Sequence, residues 1–171
     1  MTTENQTYKW LLYALGVLPV WLAESLVLSR MPLLGVIPVL LPLTAVAVAL
    51  LEGALPGALF GLCVGVLADA VYPGAPGGMT LGVCLMGWLT GAVSQYGVRQ
   101  NCVGYLLCCC ADYAALELFR VAWGTLTALG RAQDLVLVAL KEGLWSLCFA
   151  LPVYGLFRLI YRRVGGETLG G

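Results

Sequence analysis

Residues 51–91 read LEGALPGALFGLCVGVLADAVYPGAPGGMTLGVCLMGWLTG. Gly53, Gly57, Gly61 and Gly65 recur at every fourth position, and Asp69 continues the same interval. In a helix that interval returns to one face, so the stretch predicts a helix with a bare backbone track along one side. Without side chains on that track another helix approaches to backbone contact. Two occupants fit: a helix of the same chain, or a helix of a different membrane protein. Gly87 and Gly91 repeat the spacing once in the next apolar segment.

The chain around this stretch is built for lipid. Of its 171 residues 61% are apolar and 11% charged, whereas soluble domains carry about 25% charged residues. So few charges do not cover a soluble surface, and a chain of this size cannot enclose that much apolar area, so lipid is the expected solvent. Nine basic and nine acidic residues give zero net charge. The basic ones are scattered, which argues against a nucleic-acid partner.

A crossing helix needs about 20 mostly apolar residues. The chain divides at its polar and Gly/Pro-rich points into six such segments, at about Trp10 to Leu28, Leu33 to Leu51, Ala54 to Tyr72, Met79 to Tyr96, Cys102 to Leu129 and Leu135 to Tyr161. The expected fold is therefore all-α: an integral membrane bundle of about six transmembrane helices in one domain. Met1 to Thr7 lacks the basic start of a signal peptide, so the first segment is expected to stay uncleaved. With an even number of crossings, the face carrying both termini holds Lys9, Arg99, Arg158, Arg162 and Arg163 against Arg30, Arg131 and Lys141 opposite, which predicts cytoplasmic termini. Trp10, Tyr13, Tyr72, Tyr96, Tyr154 and Tyr161 lie near segment ends, as interfacial belts do, though core aromatics would look the same.

Carboxylates at membrane depth are costly and face protein or water. Asp69 ends the glycine track, where it either caps the turn around Tyr72 to Gly74 or meets a partner. Asp112, Glu117 and Arg120 share the fifth segment at spacings that reach toward one side, which predicts an intramembrane polar cluster. The same residue types would serve a proton or ion path. Glu24 and Glu142 fall near predicted segment ends. No metal site is expected: histidine is absent, no C-x-x-C pair occurs, and consecutive Cys108, Cys109 and Cys110 point about 100° apart on a helix. Phosphate loops, G-x-S-x-G and H-E-x-x-H are absent, so neither catalytic residues nor a cofactor are expected.

The residues from Leu40 to Gly91 resemble the core of the rod shape-determining protein MreD family. The resemblance rests on Gly57, Gly61 and Gly65, on Asp69 closing that helix, on the turn Pro73 to Gly78, and on Leu81-Gly82 followed by Gly87 and Gly91. The family's Arg-Pro-Asp-like entry to the second helix is replaced here by Val36-Ile37-Pro38, and the turn carries two prolines. The resemblance implies a non-enzymatic scaffold subunit of the bacterial cell-elongation complex in the cytoplasmic (inner) membrane. Its partners would be an MreC-like membrane protein and, through it, a peptidoglycan transpeptidase and glycosyltransferase. It also implies a fold similar to the substrate-binding subunits of energy-coupling-factor transporters. That supplies the alternative, a vitamin or small-molecule carrier, for which Trp88, Gln95, Tyr113 and Trp123 are the pocket candidates.

Overall fold

Polar backbone cannot be left bare among apolar side chains, and the chain meets this constraint almost entirely with helices. A computed structural model describes residues 3–30, 36–71, 77–96, 102–127 and 132–166. The elements are α1 (Thr3–Leu22), a π-helical turn (Ala23–Val27), a 3-10 turn (Leu28–Arg30), α2 (Leu41–Glu52), α3 (Ala54–Val71), α4 (Gly78–Tyr96), α5 (Cys102–Leu126), α6 (Ala132–Cys148) and α7 (Ala150–Gly166). Three stretches are long and apolar enough to cross a membrane: Thr7–Val27, Ala54–Val71 and Cys102–Leu126. The pair α6 and α7, bent by 45°, makes a fourth if counted as one crossing.

α2 is the centre of the bundle. Every residue from Leu41 to Leu51 is buried, as expected of a helix that is apolar on all sides. Its one buried polar side chain, Thr44, turns its hydroxyl back onto the Leu41 carbonyl at 2.7 Å. Around it lie Tyr13, Phe60, Val64, Tyr105, Tyr154 and Phe157, all within the same core. Tyr13 and Tyr154 are each 1% exposed; of the six aromatics placed near segment ends, these two are core rather than belt.

Two predicted segments are not continuous helices. The second was expected from Leu33 to Leu51, but residues 36–40 are non-helical and α2 begins only at Leu41. The reason is local, because Pro38 and Pro42 each lack an N–H and each crowd the preceding turn. At 12 residues, α2 alone is about 18 Å long, short of the roughly 30 Å of a hydrocarbon core. The sixth, expected from Leu135 to Tyr161, breaks at Phe149, between α6 and α7. Pro152 supplies the cause: it has no N–H to donate to Cys148, which ends α6. The predicted starts and ends at residues 33–35, Tyr72 and 128–129 lie outside the described residues, as do Pro73 to Pro76, Arg99 and Arg131.

The non-helical stretch at 36–40 is deep in the molecule and its backbone groups are met by side chains from three other elements. Leu40 and Leu41 donate their N–H groups to one Glu24 oxygen at 3.0 and 3.2 Å. The Val39 N–H donates to the Ser146 hydroxyl at 3.0 Å, and the Val39 carbonyl accepts from the Tyr113 hydroxyl. One turn further, the Tyr105 hydroxyl donates to the Leu43 carbonyl at 3.0 Å. These contacts replace the missing helical ladder, as buried irregular backbone requires. Glu24, placed near a segment end in the sequence, is 1% exposed. It sits at the N-terminus of α2, where the helix dipole favours an anion.

Candidate functional site

The glycine track is filled from within the chain. α3 and α4 run antiparallel, and each glycine of the track meets the backbone of α4 or, at Gly53, is met by Gly91. A Cβ built on Gly57 would lie 2.6 Å from the Gly87 carbonyl oxygen, one on Gly61 2.6 Å from the Val83 oxygen, and one on Gly65 2.5 Å from the Thr80 Cα. Gly87 faces the Gly57 carbonyl, and Gly91 faces Gly53 and Ala54, equally closely. The same Cβ on Gly57 would also stand 2.5 Å from the Cβ of Ala49 in α2. Backbone therefore packs on backbone along the whole hairpin. Of the two occupants the sequence allowed, the structure seats a helix of the same chain on this track. Gly53, with φ of 99°, also makes the turn from α2 into α3, a conformation glycine adopts without the Cβ penalty.

Asp69 closes the hairpin. Its two carboxylate oxygens accept the N–H groups of Met79 and Thr80, at 3.2 and 3.0 Å, and the Thr80 hydroxyl. These are free donors of the first turn of α4, so Asp69 caps α4 from the end of α3. Tyr72 to Gly74, where the turn cap was expected, lie outside the described residues. Asp69→Ala is expected to destabilise the protein by about 1–2 kcal/mol and Asp69→Asn by less, because the amide oxygen still accepts. Thermal unfolding of the two variants in one detergent checks this order.

The polar residues of α5 divide into two sites. Asp112 accepts from the Thr90 hydroxyl of α4 at 2.8 Å and is 5% exposed. Arg120 instead lies with Glu117 and with Glu142 of α6, one guanidinium nitrogen reaching an oxygen of each at 2.8 Å. Eight residues along a helix shift a side chain by about 12 Å, which is why Asp112 and Arg120 do not meet. Glu142 takes the place that the sequence reading gave to Asp112. The signal for it was available: Arg120 and Glu142 stand eleven residues either side of Arg131, the spacing that an antiparallel hairpin brings level.

Beside this ion trio α5 and α6 border an open apolar cleft of about 410 Å³. Ala114, Leu118 and Val121 form one wall and Val136, Leu140 and Gly143 the other. It runs from Cys110 and Leu147 to Val121 and Val136, eleven helical steps along each helix, or about 16 Å. Glu117 is its one carboxylate, and Tyr113 also lines it. The other carrier candidates do not converge there. Trp88 and Trp123 are on the outer surface, 49% and 43% exposed, and the Gln95 amide lies near Gly53. Of the three consecutive cysteines, Cys109 is buried, Cys108 half-buried and Cys110 exposed. Among the described residues no group of three or more His, Cys, Asp or Glu converges as a metal site.

Arg120→Leu leaves two carboxylates facing each other without their shared cation. It is expected to lower stability by about 1–2 kcal/mol, in line with polar side-chain contacts between membrane helices. Adding Glu142→Gln should recover part of that loss. A double-mutant cycle read by thermal unfolding measures both.

Comparison of the chain with protein-family models, with curated proteins and with solved structures finds no match.

Proposed function

We propose that this chain is a non-enzymatic scaffold subunit of the bacterial cell-elongation machinery, of the kind represented by the MreD family. The observation that carries the reading is the hairpin: the residues that make up the resemblance, Gly57, Gly61, Gly65, Asp69, Gly87 and Gly91, are the ones that join α3 to α4 backbone to backbone and cap the second helix. A motif made of glycines and one acid has a physical purpose there, a rigid paired unit on which other helices are mounted. In this reading the chain crosses the inner membrane six times. Residues 36–52 make the second crossing and the bent pair α6 and α7 the sixth, and both termini are cytoplasmic. Because α4 occupies the glycine track, the MreC-like partner meets other, exposed helix faces. Through that partner the chain joins a peptidoglycan transpeptidase and glycosyltransferase.

The test is purification of the tagged chain in mild detergent followed by mass spectrometry. Stoichiometric recovery of a coiled-coil periplasmic membrane protein with peptidoglycan synthases supports the scaffold, and recovery of ATPase subunits instead overturns it. A small-molecule carrier, with a fold similar to the energy-coupling-factor substrate-binding subunits, is the second reading. The cleft between α5 and α6 favours it, since 410 Å³ falls within the roughly 300–1,000 Å³ of ligand sites.

A further inference from the structure

The cleft between α5 and α6 has a shape and a charge that the scaffold reading leaves unused. Its walls are aliphatic for about 16 Å, and Glu117 brings a carboxylate into it partway along. Two carboxylates, Glu117 and Glu142, share a single guanidinium nitrogen of Arg120. With both acids ionised, one negative charge is left over where surrounding lipid and side chains screen poorly. The other charged groups of α6 with described side chains, Asp134 and Lys141, do not line the cleft. Arg120 is already engaged with both acids.

The lining decides what can enter. Aliphatic walls with one carboxylate partway along suit an apolar chain that carries a single positive group. We propose that the α5/α6 cleft binds an amphipathic monocation, a single-tailed organic ammonium whose apolar chain lies between Leu118 and Leu140 and whose charged head pairs with Glu117. This goes beyond the scaffold reading and does not depend on it.

Gly143 provides a way to fill the cleft without disturbing the fold. It lines the cleft, and a Cβ built on it meets nothing within 4 Å. The experiment uses the full chain in phosphatidylcholine nanodiscs and equilibrium dialysis of radiolabelled octylamine, with empty discs as the blank and octanol as the uncharged twin. The expected result is saturable uptake of one octylamine per chain above the blank, with octanol at least tenfold weaker. Glu117→Gln should weaken octylamine at least tenfold and leave octanol unchanged, and Gly143→Leu should abolish uptake of both while its unfolding temperature stays at or above wild type. If Glu117→Gln does not fold, the Gly143→Leu and octanol arms decide. Uptake equal to the blank, or equal binding of amine and alcohol, overturns the proposal. So does saturable binding in Gly143→Leu. A further arm places phosphatidylethanolamine in the discs. Loss of octylamine binding there assigns the cleft to a headgroup amine of the bilayer and overturns the single-tailed ligand.

Discussion

Gly61→Leu is expected to lower the unfolding temperature of the purified chain by about 6–12 °C, corresponding to about 3 kcal/mol or more. The Cβ alone would stand 2.6 Å from the Val83 carbonyl oxygen, with the Val83 carbonyl carbon and the Cys84 Cα next in line. All three are backbone atoms, so no rotamer change relieves the contact and α4 as a whole must move away from α3. Moving it also draws apart the Gly57 and Gly87 pair and strains the cap from Asp69 to Thr80. Leu62→Ala, one residue along the same helix on a side chain 45% exposed, should change stability by less than about 0.5 kcal/mol. Circular dichroism during heating in a single detergent compares the two. The measurement needs no other protein, so it separates the internal packing of the glycine track from any contact outside the chain. An unaltered transition in Gly61→Leu is incompatible with the packed hairpin.

The second large effect is expected at Glu24. Its carboxylate receives two backbone N–H groups, from Leu40 and Leu41, inside the protein. Glu24→Leu removes the acceptor of both, and each orphaned buried donor costs about 1–3 kcal/mol, so the loss should reach about 2–6 kcal/mol. It also removes the anion at the N-terminus of α2. Glu24→Gln retains one carbonyl oxygen and should recover a large part of that loss. Hydrogen exchange adds a local readout: amides of residues 36–45 should lose protection in Glu24→Leu before the rest of the bundle does. Full protection of that peptide in Glu24→Leu would mean that the segment is held by Ser146 and Tyr113 without the carboxylate.

These two sites differ in how far the sequence discloses them. The glycine track is periodic, and periodicity survives in one dimension, because residues four apart share a helix face whatever the rest of the chain does. The sequence therefore located Gly53, Gly57, Gly61 and Gly65, and the end of the track at Asp69, without naming the occupant. Glu24 offered no such pattern. Its partners lie 16 and 17 residues away across a break whose backbone needs it, and that need exists only because Pro38 and Pro42 interrupt the second segment. The same holds at the ion trio. The i, i+3 spacing of Glu117 and Arg120 joins them within one helix, while Glu142 and the cleft beside it appear only when α6 folds back along α5.

What the sequence disclosed by itself was the local conformation and a composition suited to lipid. An apolar fraction of 61% with 11% charge implies lipid, and runs of apolar residues between Gly/Pro breaks imply helices, since in lipid each backbone group finds its partner nearby. What only the tertiary structure decided was which helix lies on which. That depends on pairwise fit between faces far apart in the chain: the backbone of α4 against the bare side of α3, Arg120 against Glu142, and the side chains of Glu24, Ser146 and Tyr113 against the unwound approach to α2.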